Sequence, residues 1–235
     1  MSKPNLLLVP GLLCDQRLWQ EQVAGLAHSA ACTVADVSKA DSVAEMAKAA
    51  IARMPPGRFA VAGLSMGGYV ALEIQRQAPT RVSGLALLDT NARADSEQAT
   101  DDRRRMMKMA QTDFERVVNA LLPKLLLPAH QRDARLVAAV KAMAASTGRE
   151  AYCRQQEAII GRADSRPHLA AIKCPTLVLC GREDVLTPVA LHQEMANAIA
   201  GSRLVVAEQC GHLSTLEQPR LVTLNLVHWL SGLAG

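Results

Sequence analysis

The chain has 235 residues, a net charge of +4, 49% hydrophobic residues and 20% charged ones. That balance excludes a disordered chain, and the length suits one packed domain. No run approaches the roughly 18 apolar residues of a membrane helix. The densest basic spot, Arg103-Arg104-Arg105 with Lys108, lacks interleaved aromatics and reads as a solvated helix face, not a nucleic-acid surface.

Taken in chain order, Lys3 and the run Leu6-Leu7-Leu8-Val9 look at first like a secretion leader. Pro10 and Gly11 interrupt that run, and bulky Leu13 precedes Cys14 where a small residue is required, so a strand over 5–9 is expected instead. Further short apolar runs fall at 32–35, 59–62, 84–88, 176–180 and 203–206. They are near-continuously apolar, as strands covered on both faces must be. Between them stand helical patterns at 19–27, 43–53, 66–77, 188–198 and 219–230, with Pro188 and Pro219 suited to first-turn positions. This alternation predicts an α/β fold around a mostly parallel sheet of about six strands.

The interval 91–172 breaks the rhythm. It is rich in helix formers (104–110, 114–122, 133–145, 149–159) and holds no strand, which predicts an all-helical insertion after the fourth strand, within a single domain spanning 1–235. Such an insertion at a strand's carboxyl end overlies the site. Met106, Met107, Met109, Leu121, Leu122, Leu125 and Leu126 are mostly cap core on this reading, with Met107 and Leu122 taken as pocket residues because flexible methionine adapts to varied shapes.

Three segments carry chemistry. Gly63-Leu64-Ser65-Met66-Gly67 is a G-x-S-x-G at a strand-to-helix junction. A serine on so tight a turn stands clear of the sheet, and the flanking glycines avoid clashes with neighbouring strand and helix. Ser65 is therefore the candidate nucleophile, beside the free N–H groups of a helix starting at Met66. Asp184, in Gly181-Arg182-Glu183-Asp184, follows the fifth strand, and His212, in Gly211-His212-Leu213, follows the last. A serine hydroxyl needs an imidazole to take its proton, and the imidazole needs a carboxylate to fix its tautomer. Asp89, closing Leu85-Ala86-Leu87-Leu88-Asp89, is the rival acid. The remaining histidines, His28, His130, His168, His192 and His228, are assigned no chemistry.

Together with Leu6-Leu7-Leu8-Val9-Pro10-Gly11 and Glu217-x-Pro219, these segments resemble the α/β-hydrolase family along essentially the whole chain. The resemblance implies a serine esterase with a Ser65–His212–Asp184 triad. It also implies an oxyanion hole from the backbone N–H groups of Leu12 and Met66, a mobile helical cap, and no metal or organic cofactor. Pro10 departs from the family's usual His-Gly. The expected substrate is a small carboxylic ester, lactone or thioester. Carbon–carbon bond hydrolysis and acyl transfer use the same triad, and a low-turnover ligand receptor is the non-enzymatic alternative. A monomer or homodimer is expected. The six cysteines lack C-x-x-C spacing, which points away from zinc and fits free thiols in the cytoplasm.

Overall fold

The computed structural model describes residues 3–233. Six strands, β1 (Asn5–Val9), β2 (Ala31–Val34), β3 (Phe59–Leu64), β4 (Val82–Leu88), β5 (Thr176–Gly181) and β6 (Arg203–Ala207), form one sheet in the order β2-β1-β3-β4-β5-β6. All five pairings are parallel. Because side chains alternate along a strand, a run apolar at every position needs cover on both sides. One face carries Leu7, Val9, Val61, Leu85, Leu87 and Val178. Helices α2 (Val43–Ala52), α3 (Met66–Gln77) and α7 (Val189–Ala198) cover it. The other face carries Leu6, Leu8, Ala60, Ala62, Leu88 and Leu179, under Leu18, Trp19 and Leu26, which flank α1 (Gln20–Gly25), and under α9 (Pro219–Ser231). Each fully buried leucine contributes about 1.5–3 kcal/mol relative to exposure.

Local chemistry sets the helix starts. Ser42 Oγ accepts the Glu45 N–H at 3.2 Å to begin α2, and the Ser42-x-x-Glu45 spacing is that of a capping box. The expected helix over 19–27 is instead a 3₁₀ turn, Gln16–Trp19, running into the short α1. Pro188 precedes α7 as its cap residue, one place earlier than expected, whereas Pro219 opens α9.

Only helices occupy the interval between β4 and β5: α4 (Glu97–Thr112), α5 (Phe114–Leu125), α6 (Ala134–Ile160) and two 3₁₀ turns. The two expected helices 133–145 and 149–159 are the arms of α6, bent at Gly148. Its φ of 77° and ψ of 166° leave the helical region in a conformation costly for other residues. These helices have a small core of their own around Ala110, Val117, Val118 and Tyr152.

The strand order reverses direction at β1 and β3. Chain leaving their carboxyl ends diverges there and opens a crevice, the usual ligand site of such sheets. The short helix α8 (Ser214–Glu217) follows the loop after β6. Among the described residues no helix is long and apolar enough to cross a membrane, and all six cysteines are free thiols.

Candidate active site

Ser65 sits between the end of β3 and the start of α3 with φ 56° and ψ −119°, a strained backbone for a residue bearing a Cβ. The glycines on either side make the turn possible. A Cβ on Gly63 would lie 2.0 Å from the Gly67 carbonyl oxygen, and one on Gly67 would lie 2.1 Å from that of Val9. Thr90 braces the elbow: its hydroxyl donates to the Ser65 carbonyl at 2.8 Å, while the Ser65 N–H donates to Leu88 O at 2.9 Å.

His212 Nε2 lies 2.8 Å from Ser65 Oγ, and its Nδ1 lies 2.8 Å from Asp184 Oδ2. A carboxylate at Nδ1 keeps the ring proton there and leaves Nε2 as a lone pair facing the hydroxyl. His212 and Asp184 are both buried. Asp184 Oδ1 accepts the N–H groups of Leu186 at 2.8 Å and Thr187 at 3.0 Å, and the Thr187 hydroxyl donates to Oδ2 at 2.6 Å. Burial alone would raise the Asp184 carboxyl. The His212 charge and hydrogen bond, with the bonds from Thr187, outweigh that and hold it well below the ordinary carboxylate range. For His212, burial opposes the charged ring, but Asp184 lifts its pKa above the ordinary value.

The parallel pairing of β5 with β6 brings the two loops side by side. Glu183 stitches them: its N–H donates to Cys210 O at 3.0 Å, and its carboxylate accepts the Cys210 N–H at 2.9 Å.

Asp89 makes no hydrogen bond to His212 among the described residues. Its Oδ1 accepts the Gly181 N–H at 3.0 Å and its Oδ2 the Ser214 N–H at 3.1 Å, so it clamps the aspartate loop to the histidine loop. Asp89, the rival acid by sequence, thus makes its contacts with the two loops. Burial, then repulsion from Asp184, pushes its carboxyl up to about 8. Two carboxyls whose environments drive their pKa values apart have separate roles, and the ionised one faces the imidazole.

Three more side chains escaped the sequence reading. Glu217, five residues after His212, accepts the N–H groups of Gly211 at 3.0 Å and Leu127 at 2.7 Å, and lies 2.8 Å from His130 Nδ1. It thereby ties the end of α5 to the histidine loop. His192 is fully buried, and its Nε2 accepts the Thr90 N–H at 2.9 Å. Burial pushes its pKa down to about 4, which keeps the ring a neutral acceptor. Thr187 is the third, three residues after Asp184, a spacing at which an aspartate commonly receives N–H groups of its own turn. His28, His168 and His228 have no part in this network.

A cavity of about 340 Å³ opens beside Ser65 and His212. Met106, Val118, Leu121, Leu125, Val140 and Met143 supply apolar wall, and Asn91, Asp95, Arg103, Gln156 and Arg162 a polar one. Leu12 also lines it. The N–H groups of Leu12 and of Met66, the first residue of α3, have no partner among the described residues. Met107 and Leu122 do not line the cavity; their sequence neighbours Met106 and Leu121 do. Adjacent helical residues point about 100° apart, and Met107 packs instead into the cap's own core.

This elbow, imidazole and carboxylate, each at the carboxyl end of a parallel strand, define a hydrolase-type site. The sequence model of the α/β hydrolase fold matches residues 4–219, and the chain belongs to that family. It is 29% identical to a pimeloyl-[acyl-carrier protein] methyl ester esterase of Nitrosomonas europaea, over 86% of this chain and 81% of that protein. It is 25% identical to 3-oxoadipate enol-lactonase 2 of Acinetobacter baylyi, over 93% of this chain and 85% of the relative. A thermophilic esterase from Thermogutta terrifontis superposes with a TM-score of 0.91 at 29% identity, covering all of this chain and 92% of the other.

Proposed function

We propose that the protein is a serine hydrolase that cleaves small carboxylic esters through an acyl-Ser65 intermediate. The observation that carries this reading is the unbroken line Asp184–His212–Ser65, with both links at 2.8 Å, at the wall of a cavity. The relatives are named for cleavage of ester and lactone bonds, and this chain is a hydrolase acting on ester bonds.

In the proposed mechanism the Ser65 hydroxyl passes its proton to His212 Nε2 as its oxygen attacks the ester carbonyl. Asp184 stabilises the imidazolium so formed. The tetrahedral oxyanion is received by the Leu12 and Met66 N–H groups, whose freedom from other partners supports that role. His212 then protonates the departing alkoxide, leaving acyl-Ser65. Water, deprotonated by His212, attacks the acyl carbon, and collapse of that second intermediate returns the Ser65 hydroxyl and releases the acid. A lactone follows the same course with its alcohol still attached to the acyl group, and the enol-lactonase relative favours it as the second substrate class.

The test is turnover of p-nitrophenyl acetate and butyrate, with fluorophosphonate labelling of wild type and Ser65→Ala. We expect wild type to turn over both esters and to label at Ser65, and the variant to do neither. Labelling that persists in Ser65→Ala puts the nucleophile elsewhere, and an inert but folded wild type would favour a receptor.

A further inference from the structure

The polar wall of the cavity is more than a lining. Asp95, its side chain 5% exposed, lies between two guanidinium groups: Oδ1 accepts from Arg162 Nη1 at 2.6 Å and Oδ2 from Arg103 Nε at 2.5 Å. One carboxylate thus faces two cations. The remaining charged residues of the cavity wall are Asp102, which is paired outward with Arg105, and the exposed Lys124. Three cationic side chains stand against two carboxylates, and the excess charge is positive.

Both arginines are held in place. The Arg162 side chain is 6% exposed; Nε donates to Arg93 O at 3.0 Å, Nη1 donates also to Ile159 O at 2.8 Å, and the guanidinium stacks 4.2 Å from the Tyr69 ring centroid. Arg103 Nη1 donates to Gln156 Oε1 at 2.8 Å, and Gln156 in turn donates to the Tyr152 hydroxyl at 2.8 Å. Each guanidinium keeps one nitrogen, Nη2, without a hydrogen-bond partner among the described residues. Fixed, partly desolvated cations with donors to spare are what a bound carboxylate requires.

We propose that Arg103 and Arg162 form a subsite for a second, anionic group of the substrate. The preferred esters are then half-esters, or lactones, that carry a free carboxylate. This rests on the ester-hydrolase reading and narrows its substrate class. Met106, Val118 and Leu121 take the methylenes between the reacting carbonyl and the carboxylate. A neutral ester leaves the spare donors to water and gains nothing from them, so the wall discriminates by charge and not by size.

The experiment compares kcat/KM for monomethyl adipate and dimethyl adipate, with p-nitrophenyl butyrate as a reporter of general hydrolysis. Wild type should prefer the charged half-ester by about tenfold or more, the range expected for a hydrogen bond to a charged group. Arg103→Met and Arg162→Met should each reduce that ratio by about tenfold, and raised salt should reduce it in wild type. Arg162 is the more buried of the two; if its variant does not fold, Arg103→Met and the salt series decide. Turnover of p-nitrophenyl butyrate with no preference for the half-ester, or a ratio unchanged in Arg103→Met, overturns the subsite and leaves the hydrolase reading standing. Failure to turn over any of the three esters sinks the hydrolase reading and the subsite together.

Discussion

The Thr187 hydroxyl donates at 2.6 Å to the same Asp184 oxygen that faces His212, and lies 3.5 Å from the histidine's Nδ1. It therefore helps keep Asp184 ionised and aims the lone pair left for the imidazole. Thr187→Val preserves the volume and removes the donor. We expect kcat to fall by about tenfold, the worth of one hydrogen bond to a charged group, with KM nearly unchanged. An unaltered kcat would make Thr187 a turn residue only.

Removal of the proposed acid should be far more severe. Asp184→Asn should cost about 10⁴ in single-turnover acylation by the precedent of serine proteases. Asp89→Asn leaves one of two buried N–H groups poorly paired, which should cost about 1–3 kcal/mol of stability and much less in rate. A severe loss in Asp89→Asn beside a mild one in Asp184→Asn would reverse the roles.

The pH profile follows from the raised pKa of His212. In the proposed mechanism only the neutral ring accepts the serine proton, so kcat/KM should rise with pH, with its midpoint above the ordinary imidazole value of 6.5. In Asp184→Asn burial is less opposed, and the midpoint of the residual activity should move to lower pH. A midpoint that stays in place would mean that another group titrates.

Backbone strain at Ser65 gives a stability prediction independent of activity. Both Ser65→Ala and Ser65→Gly lose the hydroxyl, but only alanine keeps a Cβ at φ 56°. Glycine should therefore be the more stable by about 1 kcal/mol, or about 2–4 °C in Tm for a domain of this length. Equal melting temperatures would show that the elbow stores no strain.

Cavity position separates neighbouring cap residues. Met106→Phe and Leu121→Phe should raise KM and shorten the preferred acyl chain, while Met107→Phe and Leu122→Phe should change neither by more than about twofold. Substitutions at 107 and 122 that act as strongly as those at 106 and 121 would refute this cavity wall.

The strand pattern and the elbow were legible because each is local. Continuous apolar runs mark β1, β3, β4 and β5, and Gly63 and Gly67 announce the turn on either side of Ser65. Asp184 and His212 could be named from the loops they occupy, since β5 and β6 follow the insertion in order. The bracing roles of Thr90, Asp89, His192 and Glu217 were not legible, although Asp89 and Glu217 stand out as residues. The contacts that define them are mostly long-range: 25 residues for Thr90 with Ser65, 90 for Glu217 with Leu127, 102 for His192 with Thr90 and 125 for Asp89 with Ser214. The choice of Met107 over Met106 failed for a related reason. A helix's own pattern does not say how it is rotated over a cavity formed with elements elsewhere in the chain.

The clamps at Asp89 and Glu217 bear on how such a protein can be recombined. The braces on Ser65 from Leu88 and Thr90 precede Asn91, and the ties that Asp89 and Glu183 make between the two loops lie outside the helical interval, so a foreign helical module spliced in from Asn91 would leave those ties untouched. The second seam is less forgiving. Glu217 draws on Leu127 and His130, which the module would carry away with it. The His212 N–H also donates to Leu125 O at 3.1 Å, so a transplanted cap must bring donors to that carboxylate and an acceptor for that N–H, or the loop bearing His212 loses its ties to the structure above it.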